Sequence, residues 1–101
     1  MTQIDHLVLF RWKQGADLAA IARATEALAQ LPSQISGITA YVGGPQASPE
    51  GLGQGFDFAF RMTFTDIAAR DAYLPHPAHK AVIETFLAPI IETALVFDIQ
   101  H

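Results

Sequence analysis

Tyr73-Leu74-Pro75-His76-Pro77-Ala78-His79 places a phenol, two of the chain's four histidines and two of its six prolines within seven residues. Proline fixes φ and lacks an N–H, so it closes one helix and is accommodated in the first turn of the next. The stretch therefore predicts a broken helix, with Tyr73 in the last turn of the first half and His79 in the first turn of the second. Two groups able to move protons are thereby held on rigid local structure.

Working outward, Phe56–Phe64 alternates with period two. Phe56, Phe58, Phe60, Met62 and Phe64 take one face of a predicted strand, and Asp57, Ala59, Arg61 and Thr63 take the other. Thr65 is expected to cap a helix running from Asp66 to about Leu74. A further helix is expected from Pro77, with His79, Ile83, Phe86 and Ile90 on one stripe and Pro89 near its end. Ala94–Ile99 reads as the last strand. Toward the N-terminus, Ile4–Lys13 reads as a strand carrying Ile4, His6, Val8, Phe10 and Trp12 on one face and Asp5, Leu7, Leu9 and Arg11 on the other. Asp17 is the expected N-cap of a helix reaching Leu31, where Pro32 should stop it. Leu18, Ile21, Thr25 and Leu28 form its apolar stripe. Ile38–Val42 is the second strand. Five of the seven glycines, with Pro45 and Pro49, lie between Gly43 and Gly55, which reads as a loop.

Strand, helix, strand, strand, helix, helix, strand is a split βαβ order with its second helix broken. It predicts an α+β, ferredoxin-like four-stranded antiparallel sheet with helices on one face. Large apolar residues on both faces of the first strand require a cover for the second face, and half of the 101 residues are hydrophobic against 16% charged. A homodimer is the expected cover. Arg11 and Arg61 fall on that outer face, where Asp5 or Asp57 could pair with them. A length of 101 residues predicts one domain, 1–101.

A net charge of −4, with six basic residues scattered singly, argues against nucleic acid as a partner. No apolar run is long enough to span a membrane, and no signal peptide is expected at the N-terminus, so the expected location is cytoplasmic. With no cysteine, disulfides and thiolate metal sites are excluded.

The runs His6-Leu7-Val8-Leu9-Phe10, Gly55-Phe56-Asp57, Tyr-x-x-His-Pro-x-His from Tyr73 to His79, and Leu95-Val96-Phe97-Asp98 resemble the stress-responsive A/B barrel (Dabb) family nearly end to end. The resemblance implies a homodimer whose two sheets stack face to face into a dimeric α/β barrel. Its olivetolic acid cyclase-like members close a linear polyketide by aldol chemistry, with the motif's tyrosine and second histidine as the catalytic pair. Those positions match Tyr73 and His79, and the first-strand histidine matches His6. The third-strand position that carries a pocket histidine in the cyclases is Phe58 here.

The expected site accordingly has His79 and Tyr73 as catalytic residues, with His6, Val8, Phe10, Phe58 and Phe60 binding substrate. A histidine titrating near neutrality can abstract a proton between two carbonyls, and a phenol can donate to the oxygen on which charge builds. No metal and no organic cofactor is expected. The function this implies is a cofactor-free cyclase or lyase on polyketide-like or β-dicarbonyl substrates. Two alternatives use the same residues. In a non-catalytic stress-responsive or ligand-binding dimer, Tyr73 and His79 would hydrogen-bond one another or the backbone. In a cofactor-independent monooxygenase, the barrel would hold an electron-rich aromatic. His76 reads as a cap or surface residue, Trp12 as packing or a pocket rim, and His101 as frayed.

Overall fold

A computed structural model describes residues 2–101. In chain order the elements are β1 (Ile4–Trp12), α1 (Leu18–Gln34), β2 (Ile38–Pro45), β3 (Phe58–Phe64), α2 (Ile67–Tyr73), α3 (Pro77–Val82) with a π-helical turn at Ile83–Leu87, and β4 (Ile91–Gln100). The strands form one antiparallel sheet in the order β2-β3-β1-β4. The ferredoxin-like α+β order read from the sequence is the order observed.

Alternation along the central strands builds the core. Ile4, Val8 and Phe10 of β1 and Phe60, Met62 and Phe64 of β3 are buried on the inner face. They pack against Ala24, Leu28 and Leu31 of α1, Tyr73 of α2, and Val82, Leu87 and Ile90. Among the described residues His6 and the phenol of Tyr73 are the polar side chains in the buried set.

Several boundaries differ from the sequence expectation, each for a local reason. Pro32 does not stop α1, which runs on to Gln34. A proline this near a C-terminus forfeits one intrahelical bond, and the Ile35 N–H still reaches the Leu31 carbonyl at 3.0 Å. Asp17 caps the helix as expected, yet the buried stripe is Ala24, Leu28 and Leu31, and Leu18 is 81% exposed. The π-helical turn inserts one residue into the period after α3. It brings Leu87, not Phe86, fully into the core and leaves Ile83 exposed. α2 is capped by Asp66, not Thr65: its Oδ1 accepts the Ala69 N–H at 2.8 Å.

β2 extends through Gly43 and Gly44 to Pro45, which lie opposite Phe60, Ala59 and Phe58. A Cβ at Gly43 would sit 2.8 Å from the Tyr41 hydroxyl and 3.1 Å from the Phe58 ring, so close packing accounts for glycine in the strand. β3 starts at Phe58, because Phe56 and Asp57 are used in closing the loop. The Phe56 N–H bonds the Gly53 carbonyl, and the Asp57 N–H bonds the Phe10 carbonyl. His101 is not frayed. It exchanges two backbone hydrogen bonds with Gln3, and its Nε2 lies 3.0 Å from Asp5 Oδ2.

The expected charge pairing on the outer face is also rearranged within the chain. Arg11 donates to the Gln54 carbonyl at 3.0 Å, reaches Glu92 at 3.6 Å and lies over the Phe56 ring at 5.2 Å. Asp57 instead accepts the Trp12 N–H, and Asp5 accepts from the Thr63 hydroxyl at 2.7 Å.

Gly37 turns the chain from α1 into β2 with φ at +94°, and a Cβ there would stand 2.7 Å from the Ala69 Cβ. Gly37→Ala meets both the left-handed backbone penalty and this clash with α2. It should lower stability by about 1–3 kcal/mol in chemical unfolding. No helix among the described residues is long and apolar enough to cross a membrane.

Candidate active site

The inner face of the sheet and the three helices line a half-open cavity of about 380 Å³. Its wall is apolar except for three side chains, His6, Tyr73 and His79. The broken helix explains two of them. Tyr73 ends α2, Pro75 and Pro77 turn the chain, and His79 enters with the first turn of α3. The third comes from the alternation of β1, which turns His6 to the same side as Val8 and Phe10.

His6 is 5% exposed, and its Nδ1 lies 2.6 Å from Asp98 Oδ1 on the neighbouring strand, in direct register. A carboxylate only accepts, so His6 Nδ1 carries a proton and donates; in the neutral form of the ring that leaves the lone pair at Nε2. The other Asp98 oxygen accepts from the Arg70 guanidinium at 2.6 Å, while Arg70 Nε donates to Asp71 at 2.8 Å. Those hydrogen bonds, Asp71's first and then Asp98's, hold the guanidinium above its usual pKa. It is charged at every relevant pH.

Tyr73 is 1% exposed and packs edge-on to His6, with ring centres 5.8 Å apart, and against Phe64 at 5.1 Å. Among the described residues its hydroxyl has no hydrogen-bond partner. Burial, with Tyr41 adding to it, pushes the phenol well above its ordinary pKa, so it remains a proton donor.

The His79 ring lies over Tyr73, with centres 4.1 Å apart and planes tilted by 32°. Its Nδ1 is 3.0 Å from the Leu74 carbonyl, which as an acceptor selects the Nδ1–H tautomer and frees Nε2. The pKa of His79 is lowered, chiefly by desolvation, with His6 and His76 adding to the effect and the Leu74 carbonyl opposing it. The site thus joins a neutral imidazole to a neutral phenol in apolar surroundings, a general base beside a proton donor.

This lowering has a consequence for stability. The unfolded chain binds a proton at His79 near the ordinary value of 6.5, whereas the folded chain resists it. The contribution of His79 is therefore complete above about pH 6.5 and declines as pH falls toward the folded value. Thermal melts between pH 7.5 and 5 should show a shallower decline for His79→Gln than for the wild-type protein.

Val8, Phe10 and Phe60 line the cavity, as expected, but Phe58 does not. It lies beyond the end of the cavity, with its ring stacked on Phe10 at 6.4 Å and tilted against Trp12 at 5.9 Å. Period two places it on the right face, and the cavity is shorter than that face. Trp12 belongs to the same packed group. His76 caps α3, its Nδ1 accepting the Ala78 N–H at 3.0 Å, and stays outside the cavity. The sequence reading missed Asp98 and Arg70. The last strand was read only as Ala94–Ile99, without the pairing of β4 with β1 that sets Asp98 opposite His6.

The family model of the stress responsive A/B barrel domain matches residues 4–101. The chain belongs to the Dabb family. A stress-response A/B barrel domain-containing protein of Arabidopsis thaliana is 30% identical to this Dabb chain over 95 residues, spanning 94% of it and 86% of the relative. A dimeric ferredoxin-like protein of unknown function from Jannaschia sp. CCS1 is 29% identical and superposes with a TM-score of 0.82, over 96% of this chain and 97% of that one. A hydroxynitrile lyase from Passiflora edulis superposes with a TM-score of 0.89 over 98% and 93% of the two chains. At 20% identity that likeness shows the fold alone.

Proposed function

We propose that this Dabb protein is a cofactor-free acid–base catalyst that cyclises or cleaves a small polyketide-like or β-dicarbonyl substrate, and that it works as a homodimer. The observation that carries the reading is the close pair Tyr73 and His79, both neutral, in a cavity whose wall is otherwise apolar apart from His6. His79 Nε2 takes the acidic proton between two carbonyls. The Tyr73 hydroxyl donates to the carbonyl oxygen as negative charge gathers there. The resulting carbanion attacks a second carbonyl in the cyclising direction, or arises by C–C cleavage in the reverse. No lysine or arginine lines the cavity, which favours an uncharged substrate.

A homodimer is supported by the dimeric description of similar structures and by the exposed apolar outer face of the sheet, where Val42, Leu95, Phe97 and Ile99 lie. A non-catalytic ligand-binding dimer is the second reading, favoured by the bond from His79 to the Leu74 carbonyl, which also fastens the turn. The deciding experiment is incubation with a panel of linear triketides and aryl β-diketones, with products read by mass spectrometry for wild type and His79→Ala. Turnover by the wild type that disappears in the variant supports catalysis. Binding of panel members without any turnover overturns it in favour of the second reading.

A further inference from the structure

The chemistry above leaves one array of charge unused. Arg70 stands one helical turn before Tyr73 on α2, so the helix that delivers the phenol to the cavity also delivers a guanidinium to Asp98. Asp98 in turn holds His6. We propose that Arg70 is a positioning residue that balances the charge of Asp98, so that the carboxylate fixes His6 as its Nδ1–H tautomer without drawing a second proton onto the ring. His6 Nε2 is then a second proton acceptor in the cavity, opposite Tyr73.

The argument is electrostatic. A lone carboxylate 2.6 Å from a buried imidazole stabilises the imidazolium, which cannot accept a proton. Here the same carboxylate is shared with a permanent cation at 2.6 Å, whose charge offsets it, although that cation also holds the more exposed Asp71 at 2.8 Å. What Asp98 keeps is direction: it orients the ring and selects the tautomer, as a carboxylate behind a histidine does at metal and catalytic centres.

The other groups around His6 do not substitute for this. From α2 it meets the Tyr73 ring, and α3 contributes His79, which is neutral at neutral pH. From β3 it meets Phe60 and Phe64, which carry no charge. Asp98 and, through it, Arg70 with its exposed second partner Asp71 are the charges that reach it.

Any use of His6 Nε2 in turnover rests on the acid–base reading above. The charge balance does not, and it is testable without substrate. Full-length protein labelled with ¹⁵N is titrated, and the imidazole nitrogens are followed by long-range ¹H–¹⁵N correlation. In the wild type, His6 should show the Nδ1–H tautomer at neutral pH. Arg70→Met should raise the His6 titration midpoint by about one pH unit, a shift reduced from its buried limit by the partial exposure of both charged partners. Arg70→Lys should restore most of the wild-type midpoint, and Asp71→Asn should leave it within a few tenths of a unit.

An unmoved midpoint in folded Arg70→Met, or an Nε2–H tautomer in the wild type, overturns the proposal. If Arg70→Met does not fold, Arg70→Gln removes the same charge with a polar side chain, and the same two outcomes decide. Absence of turnover on every substrate would sink the catalytic reading and leave this titration unaffected.

Discussion

His79→Ala is expected to lower turnover by about 100- to 10,000-fold, the usual contribution of a positioned general base, with Tyr73→Phe close behind. Both variants should stay folded, which separates the chemistry from a structural role. Tyr73→Phe removes a hydroxyl that has no protein partner and keeps the ring contacts with His6, Phe64 and His79. Its effect on stability should therefore be small. His79→Ala gives up the bond to the Leu74 carbonyl and part of the contact with Tyr73, worth about 1–2 kcal/mol together. Circular dichroism melts run beside product assays test both halves. A large drop in melting temperature in both variants, with turnover unchanged, would mean that the pair fastens the broken helix and nothing more.

The second large effect is expected at the outer face of the sheet. Phe97 is 63% exposed in the single chain and stands opposite Leu7, with Leu95 opposite Leu9 and Ile99 opposite Asp5. An isologous dimer buries each such side chain twice, once per copy. Burying a phenylalanine is worth about 1.5–3 kcal/mol, and an aspartate in its place adds the cost of desolvating an unpaired charge. Phe97→Asp should therefore raise the dimer dissociation constant by more than about a thousandfold, since every 1.4 kcal/mol is a factor of ten. Light scattering at micromolar concentration should then report the monomer mass of 10.9 kDa, against twice that for the wild type. Because Phe97 faces away from the core, the variant should keep its far-ultraviolet spectrum. A wild-type protein that already scatters as a monomer would remove the homodimer from the proposal.

Much of this molecule was legible in local pattern. Alternation along Ile4–Trp12 and Phe58–Phe64 placed His6, Val8, Phe10 and Phe60 on one face, and the prolines after Tyr73 broke the helix where it breaks. Boundaries were less legible, because they depend on bonds to distant partners. The pairing of β2 with β3 carries β2 through two glycines to Pro45, against their loop-forming preference. Pro32 stays helical, and the π-helical turn exchanges Phe86 for Leu87 in the core.

The sequence by itself determined the order of elements, the inward face of each central strand and the rigid spacing of Tyr73 and His79. Those follow from periodicity and from proline geometry, which act over a few residues. Only the tertiary structure decided that Asp98 backs His6 across 92 residues of chain, that Arg70 completes the pair, and that Phe58 packs beyond the cavity it was expected to line. Strand pairing fixes neighbours that no local pattern encodes. A cavity exists where packing fails to fill space, and that is a property of the whole assembly of side chains.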